Sequence, residues 1–86
     1  MTSGQGKIRK REDVNPEEGK RKYGDVAFAD PVNKKYPLDT EAHVRAAHSY
    51  ISQPDNAAKY SAVEVKTIQE RINQAAEKYG IEIQND

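Results

Sequence analysis

The sequence predicts an all-α fold, built as a small antiparallel helical hairpin at about residues 40–52 and 62–79. An extended N-terminal arm and a disordered basic tail are expected to precede the hairpin. Three observations lead to this expectation: a helical pattern with both ends marked, a shorter helical pattern that a proline ends, and a first quarter with few large apolar side chains. Because the connection between the two helical patterns is short, the helices are expected to pack against each other.

The first quarter of the chain, residues 1–24, is predicted to be the disordered basic tail, and residues 25–86 a small helical domain. The larger apolar side chains of the tail are Met1, Ile8, Val14 and Tyr23. So little apolar surface cannot offset the entropy that a chain loses when it becomes ordered. The whole chain has 35 % hydrophobic and 33 % charged residues, which indicates that much of it is solvated.

The arm is expected to start near residue 25 and to stay extended up to the first helix. Val26-Ala-Phe28 alternates in a way that suits an extended segment, and Asp30-Pro31 with Asn33 marks a turn. Tyr36 precedes Pro37, and a residue before proline is biased towards extended geometry. We expect the apolar side chains of the arm to lie against the helices, because two helices alone have too few apolar faces to form a core.

The first predicted helix begins at Asp39 or Thr40 and ends before Pro54. Asp39 is a good N-cap residue and Thr40 is the alternative. Glu41 lies in the first turn, where the helix dipole favours negative charge, and Pro54 cannot continue the helix. The residues that share its core face are Val44, Ala47, His48 and Ile51. Tyr50 lies beside that face and is expected to be exposed.

The second predicted helix carries signals at both ends. Ser61 and Glu64 have the spacing of a capping box, in which each side chain bonds the other residue's backbone amide. Gly80 can adopt the left-handed conformation that ends a helix, and Ile81 can then fold back over the last turn. The apolar residues that share one face of this helix are Val65, Ile68, Ile72, Ala75 and Tyr79.

The sequence carries no pattern typical of an active site or a metal site. It has no cysteine, which excludes disulfides, thiolate catalysis and cysteine-based zinc sites. His43 and His48 are five residues apart, so on a helix they do not share the face that a zinc pair requires. Carboxylates are plentiful, but no pair of them is expected in the apolar surroundings that raise a carboxyl pKa and prepare an acid or a base for catalysis. We therefore expect no enzymatic activity and no cofactor.

Basic residues near the N-terminus are the candidates for ligand contact. Residues 1–35 hold nine Lys and Arg against six Asp and Glu, whereas residues 36–86 hold five against eight. The basic residues form two clusters, whose spacing resembles a bipartite nuclear-import pattern and also suits phosphate contacts. The candidate nucleic-acid contacts are Lys7, Arg9, Lys10, Arg11, Lys20, Arg21 and Lys22. The alternative is a tail that only keeps the protein soluble, since acidic residues between the clusters weaken their field.

Location and assembly can be predicted only coarsely. The sequence has neither a signal-peptide pattern nor an apolar run approaching the ~20 residues of a membrane span. We therefore expect a cytoplasmic protein that does not contact membranes. The small number of core candidates predicts a marginally stable monomer, or a weak homodimer that completes its core.

Three segments of the chain resemble a known family. They are Tyr23-Gly-Asp-Val-Ala-Phe-Ala-Asp-Pro31, Lys35-Tyr-Pro-Leu-Asp-Thr-Glu-Ala-His43 and Asn56-Ala-Ala-Lys-Tyr-Ser61. They look like DUF6582, a family of small bacterial and phage-associated proteins of unknown function, over about residues 23–83. The resemblance implies no activity, cofactor or catalytic residue, and it leaves the basic tail outside the match.

These observations favour a non-enzymatic binding module whose expected partner is another protein. The groove between the arm and the two helices is the expected contact surface. The alternative function is nucleic-acid binding through the basic tail. Salt distinguishes the two, because phosphate-driven binding weakens steeply as the salt concentration rises.

Overall fold

The computed structural model describes residues 8–82, and within them the chain is mixed α/β. Its elements are α1 (Pro16–Tyr23), β1 (Phe28–Asp30), β2 (Lys35–Pro37), α2 (Glu41–Ile51), α3 (Pro54–Ala57) and α4 (Ala62–Tyr79). The all-α prediction is wrong, because the two strands pair as an antiparallel sheet. The helical hairpin itself is present: α2 packs against α4.

The sheet is a β-hairpin built from the segments that were expected to form only an extended arm. Phe28 lies opposite Pro37, and Asp30 lies opposite Lys35. The predicted turn after Asp30 is the hairpin turn, and Lys34 leaves it with a positive φ of 57°. The strands are only three residues long, so they carry too little alternation to be distinguished in the sequence from an unpaired arm.

The hydrophobic core lies where the hairpin, α2 and α4 meet. Its buried side chains are Ile8, Ala29, Leu38, Val44, Ala47, Ile51, Tyr60, Ile68, Ile72, Ala76 and Ile81. Arg71 of α4 also ties the sheet to the helix, because its guanidinium donates a 3.0 Å hydrogen bond to the carbonyl oxygen of Ala29. Both strands thus contact a long helix: β1 contacts α4, and β2 contacts α2.

The helix ends follow most of the predicted signals. The capping box of Ser61 and Glu64 is confirmed, as is the left-handed Gly80 that ends α4. The N-cap of α2 is Thr40, the alternative candidate, whose hydroxyl accepts a hydrogen bond from the amide of His43. The carboxylate of Asp39 is instead engaged with the His43 ring, 2.5 Å from Nδ1.

The buried face of α4 is rotated relative to the predicted apolar stripe. Its buried residues are Glu64, Thr67, Ile68, Ile72 and Ala76, whereas Val65 and Ala75 are only half-buried. Tyr79, predicted to lie in the core, is exposed, and its hydroxyl donates a 2.8 Å hydrogen bond to the carbonyl oxygen of Asp39. Hydrophobic spacing did not reveal this rotation, because polar Glu64 and Thr67 share the buried face.

The segment expected to be a disordered tail is also ordered where the structure describes it. Residues 1–7 lie outside the described residues. From residue 8 onwards the chain packs on the domain: Ile8 is 4 % exposed in the core, and Pro16–Tyr23 form α1. Asn15 caps α1 by accepting a hydrogen bond from the amide of Glu17. The small number of apolar residues did not predict this order, because hydrogen bonds supply much of the contact between this segment and the rest of the domain.

Candidate functional site

The candidate site is a cleft of about 320 Å³ between α1, β2 and α2. Tyrosines from all three elements line it: Tyr23 from α1, Tyr36 from β2 and Tyr50 from α2. We call it the tyrosine cleft. Its volume lies at the lower end of the range typical of ligand sites, ~300–1,000 Å³.

Close packing between α1 and the hairpin turn forms one side of the tyrosine cleft. A Cβ atom on Gly19 would lie 2.3 Å from the carbonyl oxygen of Lys34, so only glycine allows this approach. None of the residues of α1 is buried. The helix is therefore a peripheral wall, which is held by contacts at its edges rather than by an apolar face of its own.

Tyr23, the last residue of α1, connects three elements. Its ring meets the Phe28 ring edge-on at a centroid distance of 6.2 Å, and the His43 ring at 5.4 Å. Both distances fall within the favourable range for aromatic pairs. Since Asp39 engages the Nδ1 atom of His43, the imidazole ring is fixed against α1.

Tyr36 lines the other side of the cleft, and its own backbone conformation is unusual. Its φ is +61°, in the left-handed region that bulky side chains rarely adopt. The side chain is half-buried, and burial raises the pKa of its hydroxyl. Its ring lies 6.5 Å from that of Tyr60. Strained residues of this kind cluster at binding and catalytic sites, so Tyr36 marks the tyrosine cleft as a place of interest.

The third tyrosine of the cleft faces solvent. Tyr50 is 53 % exposed, as the sequence predicted. Three lysines line the cleft, Lys22 on α1 and Lys34 and Lys35 on the hairpin, against the single carboxylate of Glu18 among the lining residues. The lining is therefore both basic and aromatic.

The family of the chain can now be stated. A family model described as "Family of unknown function (DUF6582)" matches residues 4–86. The chain belongs to DUF6582. No curated protein and no solved structure matches it. The match starts well before residue 23, so the basic segment lies inside the family's limits, in contrast to the narrower resemblance over residues 23–83.

The structure separates the basic residues that the sequence grouped as candidate nucleic-acid contacts. Lys7 lies outside the described residues. Arg9, Lys10 and Arg11 precede α1, while Lys20, Arg21 and Lys22 lie on it. Among these six, Lys22 lines the tyrosine cleft, and its Nζ atom lies 5.4 Å from the centroid of the Tyr23 ring.

Arg11 is committed to internal contacts in this DUF6582 chain. Its side chain is 11 % exposed and forms a salt bridge with Asp13. It also donates a 3.1 Å hydrogen bond to the hydroxyl of Tyr60. The hydrogen bond that it donates to Asp13 is the largest cause of a raised pKa for this guanidinium. Arg11 is therefore unsuited to phosphate contact.

Sequence reasoning missed a buried polar network beneath the hairpin turn. Asp30 and Asn33 are fully buried. Asp30 Oδ1 accepts hydrogen bonds from the amides of Val32 and Asn33, while Oδ2 accepts from the Asn33 side chain and from the Tyr60 hydroxyl. The Asp30-Pro31 turn signal located the first of these residues, but nothing in the local sequence indicated the distant partner Tyr60.

Neither a metal site nor a membrane-spanning helix is found among residues 8–82. Within that range, no group of three or more His, Cys, Asp or Glu side chains is arranged to hold a metal ion. No helix in the same range is long and apolar enough to cross a membrane.

Proposed function

We propose that this chain is a non-enzymatic binding module whose tyrosine cleft takes a short acidic segment of a partner protein. One observation carries the proposal: tyrosines line the cleft together with three lysines and a single carboxylate. The proposed contact surface is therefore narrower than the groove expected from the sequence. It lies between α1, β2 and α2, and α4 is not part of it.

The tyrosines supply the anchoring surface in this proposal. Tyrosine is enriched at protein interfaces, because its ring buries apolar area at low entropic cost and its hydroxyl bonds at the edge. Tyr50 is exposed on α2, so a ligand can cover it without any movement of the core. Tyr36 is held in its strained conformation by the hairpin, which fixes one wall of the cleft before a ligand arrives.

The positive charge of the cleft indicates the class of partner that we propose. Lys22, Lys34 and Lys35 in the lining favour carboxylates on the ligand, and like charges on a basic ligand would be repelled. Two of these amines already lie close to aromatic rings: Lys22 Nζ is 5.4 Å from the centroid of Tyr23, and Lys34 Nζ is 5.8 Å from that of Phe28. A cationic ligand would have to compete with these amines, whereas an acidic one would pair with them.

A peptide titration tests this proposal. The probe is a short acetylated peptide with a central tyrosine flanked on both sides by glutamates, and its control carries lysines in place of the glutamates. Two-dimensional NMR spectra of the isotope-labelled protein should show shifts at residues of the tyrosine cleft with the acidic peptide alone. Equal response to both peptides, or shifts located elsewhere, would contradict the proposal.

A matched pair of variants sharpens the experiment. Tyr50→Ala should weaken binding of the acidic peptide about tenfold, the loss expected for an aromatic anchor. Val63→Ala is the control, because Val63 is 62 % exposed on α4, away from the cleft. Equal affinity of the two variants for the acidic peptide would show that Tyr50 is not part of the binding site.

A second candidate function, nucleic-acid binding, is favoured by the place of α1. Its residues Lys20, Arg21 and Lys22 lie on the helix that walls the tyrosine cleft. Single-stranded nucleic acid binds to aromatic rings beside basic side chains. Fluorescence anisotropy with labelled oligo-dT decides this candidate: binding that weakens steeply with salt and is lost in Lys20→Glu supports it, and salt-insensitive binding contradicts it.

A further inference from the structure

We propose that residues 8–23 form an exchangeable segment, and that the body of one molecule binds this segment of a second copy. The segment is called the arm below, and it is distinct from the extended arm that the sequence predicted from residue 25 onwards. The contact is made by the arm slot, which we define as Asp30, Asn33, Tyr60 and Glu64. In the structure of the single chain, the slot holds Ile8–Arg11 of the same chain. The slot shares Asn33 with the tyrosine cleft, and α1, which the arm carries, is one wall of that cleft. The proposal does not depend on whether the cleft binds a partner.

Two side chains of the slot recognise the backbone of the arm. Asn33 accepts a 2.6 Å hydrogen bond from the amide of Arg11 and donates one of 3.0 Å to the carbonyl oxygen of Arg9. Glu64 accepts a 2.9 Å hydrogen bond from the amide of Arg9. An extended peptide backbone is held in this way regardless of which molecule it comes from.

The slot is prepared by hydrogen bonds within the body itself. The Asn33 amide group also donates to Asp30 Oδ2 at 2.8 Å, which fixes its orientation. Glu64 bonds the arm through Oε2, while its Oε1 accepts from the amide of Ser61 at 2.7 Å. Because these groups are buried, an empty slot would leave the arm-facing atoms of Asn33 without their present partners.

Two side chains of the arm give the contact its sequence specificity. Ile8 is buried in the hydrophobic core. Arg11 donates to the Tyr60 hydroxyl and lies over its ring, with the guanidinium carbon 5.1 Å from the centroid. The slot therefore selects an extended segment with an apolar residue followed three positions later by arginine, and a second copy of this chain carries that segment.

The connection between arm and body can act as a hinge. Gly24 ends α1 with a φ of +86°, and the following residues up to β1 belong to no helix or strand. Since α1 buries none of its residues, separation of the arm from the body costs mainly the slot contacts, the close approach at Gly19, and the ring contacts of Tyr23 with Phe28 and His43. An exchanged arm would regain those contacts in trans, which is why such swaps are a low-cost route to dimers.

Shortening the hinge tests the proposal in the full-length chain. Deletion of Gly24 and Asp25 should prevent the arm from reaching its own slot, so that the variant is a dimer by light scattering. Mixed labelled and unlabelled chains should then give intermolecular NMR contacts from the Ile8 methyl groups to the core. The same deletion combined with Ile8→Asp is the control and should stay monomeric. A folded monomer after the deletion alone would overturn the proposal.

A second measurement decides the question if the shortened chain does not fold. The full-length variant Ile8→Asp, whose own arm is weakened, is titrated with a peptide of residues 4–14. The peptide should bind and raise the melting temperature. The same peptide carrying Ile8→Asp should bind about tenfold to a hundredfold more weakly, since it lacks the buried side chain. Equal binding of the two peptides, or no binding by the first, would overturn the proposal.

Discussion

The hydroxyl of Tyr60 donates a 2.7 Å hydrogen bond to the carboxylate of Asp30, thirty positions earlier in the chain. Asp30 is fully buried beneath the hairpin turn. Burial and the bond to Asp30, in that order, raise the pKa of Tyr60 well above its usual value. The arm joins at the same hydroxyl, which also accepts a hydrogen bond from Arg11. Strand β1, the segment before α4 and the arm thus meet at the Tyr60 hydroxyl.

Replacement of Tyr60 by phenylalanine should destabilise the protein by about 1–3 kcal/mol, because the buried Asp30 carboxylate loses one of its donors. The free energy of unfolding, measured by denaturant titration, checks this. Tyr50→Phe is the matched control: Tyr50 is exposed, so the same substitution should change the stability by no more than about 0.5 kcal/mol. A similar, small effect at both positions would show that the phenol of Tyr60 contributes little.

The lowered pKa of Glu64 predicts how the stability of the fold depends on pH. Hydrogen bonds from the backbone amides of Arg9 and Ser61 lower the pKa of this carboxyl below its ordinary value of 4.5. A group with a lowered folded-state pKa stabilises the fold fully above its unfolded pKa, and that contribution is lost as the pH falls through the folded pKa. Stability should therefore decline below about pH 4.5, and less steeply in Glu64→Gln than in the wild type.

Asp13 provides the comparison for this pH experiment. Its pKa is also lowered, mainly by the hydrogen bond from Arg11, but the carboxylate is exposed. Solvent screens such a pair, so Asp13→Asn should change the acid limb of the stability curve less than Glu64→Gln does. The reverse order would mean that the Arg11–Asp13 pair, which lies within the arm, contributes more to acid stability than the contacts of Glu64 with Arg9 and Ser61.

The substitution Gly19→Ala distinguishes the effect of helix propensity on stability from the effect of packing. Alanine is favoured over glycine in an exposed helix by about 1 kcal/mol, so a free α1 would become more stable. In the packed structure, the added Cβ meets the carbonyl oxygen of Lys34. We therefore expect loss of stability and faster amide exchange in α1. Lys20→Ala, at an exposed position of the same helix, should show no such loss.

The hairpin turn predicts opposite effects for glycine at neighbouring positions. Lys34 has a φ of +57°, where residues other than glycine are strained by about 1–2 kcal/mol, whereas Lys35 lies outside that region. Lys34→Gly should therefore leave the free energy of unfolding unchanged or raise it by up to about 1 kcal/mol. Lys35→Gly should lower it by about 0.5–1 kcal/mol. Equal losses would place Lys34 outside the left-handed region.

The sequence predicted the parts of the fold that local signals determine. The Ser61–Glu64 capping box, the Gly80 terminus and the end of α2 before Pro54 were all visible in short stretches of sequence, although Pro54 itself begins α3. The antiparallel pairing of two three-residue strands was not visible, because it depends on contacts across the turn rather than on a repeating pattern. Tyr79 was misplaced for a related reason, since polar Glu64 and Thr67 occupy part of the buried face.

The candidate site was less predictable than the fold. The exposure of Tyr50 followed from its position beside the helical stripe. The cleft itself depends on how α1 packs against the hairpin, and α1 has no apolar face that would have predicted this contact. The order of residues 8–13 rests on side chains that are 22 to 55 positions away. Composition alone therefore indicated a disordered tail where the structure has a bound arm.

Hydrogen exchange at the amides of Arg9 and Arg11 tests the attachment of the arm most directly. These two amides donate to Glu64 and to Asn33. In the full-length protein they should exchange at least about tenfold more slowly than in an unstructured peptide. Asn33→Ala should remove the protection of Arg11. Exchange of both amides at the rate of an unstructured chain in the wild-type protein would contradict the bound arm.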